Sequence, residues 1–155
     1  MGMLRSGSGL GGEKMATRPN LYLPPALRAE VETRVRAGYP CETCGLLLGR
    51  RSNGQCEVSR VLPARNLNQE RSTDRYEIDP RDYLAADREA RASGEDIVGI
   101  WHSHPDHPAR PSETDLTAAW PEWSYLIVSV SGERVLDLRS WRLRDERFEE
   151  EEITP

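Results

Sequence analysis

The chain has 155 residues, 37% hydrophobic and 30% charged, which suits one domain with a real core and leaves two full domains cramped. A net charge of −5, with basic residues that are nearly all Arg and scattered along the chain, argues against nucleic acid as a partner, because neutralising phosphates supplies most of that affinity. No apolar run approaches the length of a membrane span and the N-terminus lacks the apolar core of a secretory signal, so no membrane partner and a cytoplasmic location are expected.

Residues 1–20 are rich in Gly and Ser without hydrophobic periodicity and read as a flexible N-terminal tail, leaving 21–155 as the domain. Pro24 and Pro25 then open a helix whose stripe is Leu27, Val31 and Val35, ended by Gly38 and Pro40. Cys44-Gly45-Leu46-Leu47-Leu48-Gly49 is an apolar run of strand length, and Ser52-Asn53-Gly54 is a hairpin turn into a second strand, Cys56 to Leu62. Residues 64–75 are polar and read as loop. A second helix runs from Pro80 to about Ser93, with Tyr83, Leu84 and Ala90 on one side and Gly94 as its stop. Ile97 to His102 form a compact, β-branched, buried strand that ends at Pro105. Three prolines stiffen 105–111, and a short helix follows from about Ser112 to Trp120. Tyr125 to Val130 read as another buried strand, Ser131-Gly132-Glu133 as a turn, and Val135 to Leu143 as a half-exposed strand before an acidic end, Glu149 to Glu152. Helices and strands interleave, so the class is mixed α/β (α+β) in a single domain.

The chemistry concentrates between His102 and Asp115. His102 and His104 stand two apart at a strand end, so both rings share a face with Cα atoms roughly 6.6 Å apart, and together they can reach one metal ion. Asp115 adds a carboxylate from the next element, and two His with one carboxylate leave a fourth position for water. Taken alone, His-x-His could equally be a surface or pH-sensitive pair. Ser112-x-x-Asp115 also fits a helix capping box, which would fix the Asp side chain. A general base is needed near the water, and Glu42 is a candidate, although periodicity does not single it out.

Taken together, Glu42, Cys44 to Gly49, His102-Ser103-His104-Pro105 and Ser112-Glu113-Thr114-Asp115 resemble the JAMM (MPN-plus) zinc metalloproteases, whose pattern is an upstream Glu, then His-x-His-Pro, six residues and Ser-x-x-Asp. The resemblance spans roughly residues 20–150, and Arg75-Tyr76 through Pro80 share it. It implies a curved central β-sheet flanked by helices, similar to the cytidine deaminase architecture. It implies one Zn2+ per chain on His102, His104 and Asp115, with Glu42 as general acid and base and Ser112 as donor to the carbonyl oxygen as it gains charge. The stretch from His104 to Ser112 is similar to the short bacterial members linked to ubiquitin-like sulfur carriers. That implies cleavage after the C-terminal Gly-Gly of such a carrier, its side-chain-free tail threading a groove beside the metal as an added strand.

Two other readings compete. Pro40-Cys41-Glu42-Thr43-Cys44 matches half of a zinc deaminase signature, or a Cys-x-x-Cys redox or zinc pair, but no His-x-Glu accompanies it. A non-catalytic scaffold of the same fold is the other. Three cysteines, Cys41, Cys44 and Cys56, do not suggest a disulfide framework. The roles of His107 and Arg110 stay open.

Overall fold

The computed structural model describes residues 19–68, 72–73, 75–113, 115 and 119–155; the tail read over 1–20 falls almost wholly outside them. In chain order the elements are β1 (Asn20–Tyr22), α1 (Pro25–Gly38), β2 (Cys44–Ser52), β3 (Gln55–Ala64), α2 (Pro80–Ala92), β4 (Asp96–Pro105), β5 (Ser124–Ser131), β6 (Arg134–Arg144) and β7 (Arg147–Thr154). The mixed α and β class holds.

The sheet departs from expectation. Instead of an open curved layer between helices, its strands close into a barrel in the order β1-β3-β2-β4-β5-β6-β7. Closure depends on β1, which pairs in parallel with β3 on one side (Leu21 opposite Cys56) and with β7 on the other (Leu21 opposite Ile153). Neither β1 nor β7 was foreseen. A three-residue strand has no readable period, and the Glu-rich Arg147–Thr154 runs against strand propensity.

The buried apolar residues form two clusters that follow strand alternation. Leu47 faces the cluster holding Val31 and Val35 of α1 with Trp101 and Leu126, while Leu46 and Leu48 face the one holding Ala86 and Ala90 of α2 with Ile100 and Tyr125. On β4 the alternation is broken by a register shift against β2, where Leu47 pairs with Gly99 and Leu48 with Ile97. The extra residue, Val98, is a β-bulge that puts Val98 and Trp101 in the same cluster. The helix α1 buries Val31 and Val35 as read from its stripe. Of the face expected on α2, Ala90 is buried, together with Ala86, while Tyr83 leans on Trp123 with ring centroids 6.3 Å apart and Leu84 is 54% exposed.

Glycines flank the triple leucine because the sheet leaves no room for a side chain. A Cβ at Gly45 would stand 2.1 Å from the Leu62 carbonyl oxygen and 2.3 Å from the Trp101 indole nitrogen, and one at Gly49 would lie 1.8 Å from the Glu57 carbonyl oxygen. The β2–β3 turn places Asn53 at φ 51° and Gly54 at φ 78°, the left-handed pair that a two-residue hairpin needs.

Candidate active site

Two elements set the positions of the histidines and the first carboxylate. β2 and β4 are antiparallel with Cys44 opposite His102, and the pairing runs one residue further, since Ser103 N–H donates to the Thr43 carbonyl at 2.9 Å. The Ser103 hydroxyl accepts from Thr43 N–H at 2.9 Å. This packing-side role was expected of a residue between two same-face histidines. The extension brings Glu42, just before β2, beside His102 and His104. Its backbone is fixed from the loop: Glu42 N–H donates to the Ser72 carbonyl at 2.5 Å and Asn66 Nδ2 donates to the Glu42 carbonyl at 3.2 Å.

The second carboxylate arrives with the segment after the proline-rich loop. Glu113 and Asp115 are helical and 114 and 116–118 lie outside the described residues, whereas Ala119 and Trp120, the end of the expected short helix, are not helical. Ser112 N–H donates to Asp115 Oδ2 at 2.8 Å and Asp115 N–H to Ser112 Oγ at 3.1 Å, the reciprocal capping arrangement read from the spacing. Because the Ser112 oxygen accepts that bond, its own proton stays available to the pocket.

His102, His104, Glu42 and Asp115 are all buried, with His102 at 0% exposure. Asp115 Oδ1 lies 3.6 Å from His102 Nε2 and its Oδ2 lies 3.4 Å from His104 Nε2. Glu42 Oε1 lies 3.5 Å from the second nitrogen of the His102 ring, Nδ1. Burial opposes the Asp115 charge, yet His104, His102 and the Ser112 N–H outweigh it and hold the carboxyl down at about 2. Burial likewise opposes a charge on His104, but Asp115 and the Pro108 carbonyl outweigh it and raise its pKa. The His104 Nδ1 lies 2.9 Å from the Pro108 carbonyl oxygen. A carbonyl can only accept, so Nδ1 carries a proton, and in the neutral ring Nε2 is the nitrogen left with a lone pair for a metal.

These residues fit a cation. Both ring nitrogens of His102 are buried without a hydrogen-bond partner, a costly state for a polar group that a metal would relieve. Asp115 turns one carboxylate oxygen to each Nε2 atom, Oδ1 at 3.6 Å from His102 and Oδ2 at 3.4 Å from His104. Glu42 also has a carboxylate oxygen within 4.8 Å of ligand atoms of both histidines. The pair therefore has two carboxylates within reach. Asp115 faces both Nε2 atoms; Glu42 faces Nδ1 of His102.

Glu42, His104 and Asp115 line a pocket of about 360 Å³ together with Ser112, Tyr76, Arg75, His107 and Arg110, and His102 is buried beside Tyr76. A family model described as prokaryotic homologs of the JAB domain matches residues 24–144. The chain belongs to this prokaryotic JAB family. It is similar to a desampylase of Haloferax volcanii, 33% identical over 121 residues that span 75% of this chain and 85% of the relative. It is also similar to a CysO-cysteine peptidase of Mycobacterium tuberculosis, 34% identical over 119 residues, 76% of this chain and 79% of that one. Among solved structures, that of a Desulfitobacterium hafniense protein matches with a TM-score of 0.76 at 37% identity, covering 86% of this chain and 90% of that chain.

In this JAB chain four of the sequence-derived site residues, Glu42, His104, Ser112 and Asp115, line one pocket, and the fifth, His102, lies buried against Glu42 and Asp115. The Cys pair stands apart from it. Cys44 is buried in β2, where burial and Glu42 push its thiol up to about 12, and Cys41, Cys44 and Cys56 are all free. Residue-level reasoning missed Asn66 and Tyr76. The Tyr76 ring stacks on His102 with centroids 4.4 Å apart at 28°, and the one signal for it was the family likeness of Arg75-Tyr76. Among the described residues no helix is long and apolar enough to cross a membrane.

Proposed function

We propose that this chain is a zinc-dependent peptidase that hydrolyses the amide bond after the C-terminal Gly-Gly of a ubiquitin-like sulfur-carrier protein. One observation carries the reading: two buried imidazoles, one with both nitrogens unpartnered, meet two carboxylates at the wall of a single pocket. Family membership and relatives named desampylase and CysO-cysteine peptidase support it.

His102, His104 and Asp115 would hold the ion through the two Nε2 atoms and one carboxylate oxygen. What zinc supplies in such a set is Lewis acidity, which polarises a carbonyl and makes water a nucleophile near neutral pH. Glu42 takes a proton from the attacking water and returns it to the departing nitrogen. Water oxygen bonds to the glycine carbonyl carbon, the C–N bond breaks, and the products are a carrier ending in a glycine carboxylate and a free amine. Ser112 donates its free hydroxyl proton to the carbonyl oxygen as charge builds there. The His104–Pro108 contact holds one imidazole in the tautomer this needs. Residues 21–155 act as one catalytic domain, and a cytoplasmic setting goes with a sulfur-carrier substrate.

The test pairs metal analysis with cleavage. Protein purified without chelator should hold about one zinc per chain, as expected of a catalytic site with three protein ligands and one open position. Asp115→Ala should lose the metal, and Glu42→Ala should keep it while activity on a Gly-Gly-extended carrier drops by about 10² to 10⁴. Zinc that survives Asp115→Ala and follows Cys41 and Cys44 would sink this reading. A protein that binds the carrier, leaves it uncut and is indifferent to Glu42→Ala would instead be a scaffold.

A further inference from the structure

The pocket holds a feature that amide hydrolysis itself does not use. Its two carboxylates, Glu42 and Asp115, are turned toward imidazoles at 3.4–3.6 Å, yet Arg75, His107 and Arg110 also line it. Arg75 and Arg110 set two guanidinium groups on that lining beside the two carboxylates. Arg110 makes no hydrogen bond or ion pair to any other described residue, and its base is held firmly. Ser129 Oγ donates to the His107 carbonyl at 2.6 Å, His104 Nδ1 to Pro108 at 2.9 Å, and Trp141 Nε1 to Ala109 at 3.0 Å. Pro111 follows. The loop that orients His104 thus carries Arg110 at a fixed place on the same pocket wall.

We infer that Arg110 forms an anion subsite for the α-carboxylate of the residue that leaves, so that the preferred substrate is a carrier ending in Gly-Gly plus one amino acid. The inference rests on the peptidase reading above. In a Gly-Gly–amino acid adduct, the carboxylate carbon lies only about 2.5 Å from the scissile nitrogen, two covalent bonds away. A cation lining the pocket meets it while the carbonyl faces Ser112 and the histidines. In an isopeptide conjugate the scissile nitrogen ends a lysine side chain, and four methylenes take the place of that charge. A guanidinium then discriminates the two through a bidentate, charge-assisted pair that only the first can form. The bond broken is the same in both. Only recognition of the leaving amine differs.

The experiment uses full-length zinc-loaded protein and two peptides, acetyl-Gly-Gly-Ala with a free carboxylate and the same peptide as its C-terminal amide. Turnover is read on the wild type, and binding is read by calorimetry on zinc-loaded Glu42→Gln, which leaves the peptide intact. The acid form is expected to be favoured about tenfold or more in KM and in Kd, with the ratio shrinking as salt is raised. Arg110→Met should bring the ratio close to one, Arg110→Lys should restore part of it, and Arg28→Met on α1, outside the pocket lining, should leave it at the wild-type value. Equal affinities for acid and amide, or none measurable for either, overturn the subsite, as does an Arg110→Met variant that keeps the wild-type ratio. Absence of turnover with a clear binding preference would instead count against the peptidase reading and leave the subsite standing.

Discussion

Asn66 shows how much of the site rests on a side chain that carries no reactive group. Its Nδ2 donates to the carbonyls of Glu42 (3.2 Å) and Arg75 (3.0 Å), and its Oδ1 accepts from the N–H groups of Asn68 and Glu77 at 2.9 Å each. It therefore ties Glu42 to the segment bearing Tyr76, which stacks on His102. Asn66→Ala should keep the metal, measured by mass spectrometry, while kcat falls on the order of tenfold or more, because small misplacement of a catalytic group is expensive in rate. Ser112→Ala should lower kcat by about 100 to 1000-fold, the usual effect of losing one oxyanion donor. Thiol labelling of the native protein should modify Cys41, which is partly exposed, and spare Cys44 and Cys56, which are buried with thiols pushed upward by burial. At this scale the grouping of His102, His104 and Asp115 was legible because His-x-His and Ser-x-x-Asp are local spacings. Asn66 and Tyr76 were not, since each acts on a residue 24 to 26 positions away.

At the scale of elements, β2 is the strand on which the site depends. Leu47 is fully buried between α1 and the barrel wall, so Leu47→Ala should destabilise by about 2–5 kcal/mol in urea unfolding. The helix α2 gives a pH-dependent case. Asp79 caps it, accepting from Arg81 N–H at 2.8 Å, and that bond, with Arg81 and Arg65 nearby, holds the Asp79 carboxyl below its ordinary range against the opposing effect of desolvation. A carboxyl whose folded pKa is depressed stabilises above its unfolded value, near 3.9, and loses that contribution as pH falls through the folded one. The urea midpoint of Asp79→Ala should therefore lie below that of the wild type at pH 7, with the gap narrowing as pH drops below about 4. A gap independent of pH between 7 and 3 would contradict it. The element boundaries at Pro25, Gly38, Asn53-Gly54 and Gly94 were readable because Pro and Gly act locally on the backbone. The core face of α2 was partly misread, because Tyr83 and Leu84 find only part of a surface to cover.

At the scale of the whole barrel, a buried ion pair lies beside the strand that closes it. Arg142 on β6 meets Glu151 on β7 at 2.7 Å with side chains 5% and 0% exposed. Ser140 Oγ donates to Glu151 at 2.6 Å, and Arg142 reaches the Gly54 carbonyl at 3.0 Å and Ser124 Oγ at 3.4 Å. Three strands, β5, β6 and β7, and the β2–β3 turn thus converge on one charge pair beside β1. Glu151→Ala should destabilise by about 3–5 kcal/mol, since it strands a buried guanidinium, whereas the double variant Arg142→Met with Glu151→Leu should recover most of the loss. Thermal unfolding of the three proteins distinguishes a net stabilising pair from one that chiefly fixes the pairing of β6 with β7.

The sequence by itself determined the mixed class, both helices, the buried strands and the five residues that meet at or beside the pocket. Each of those depends on spacing within about a dozen residues, on period 2 or 3.6, or on backbone preferences of Pro and Gly, save Glu42, which came from the family resemblance. Only the tertiary structure decided that the sheet closes. Closure needs Leu21, Cys56 and Ile153 in register across most of the chain, and it turns one glutamate of an acidic run into a buried partner of Arg142. The same holds for the placing of Glu42 beside the histidines: nothing local marks it, and the β2–β4 register puts it there. Long-range pairing is set by the sum of packing over the whole barrel, which no window of the chain contains.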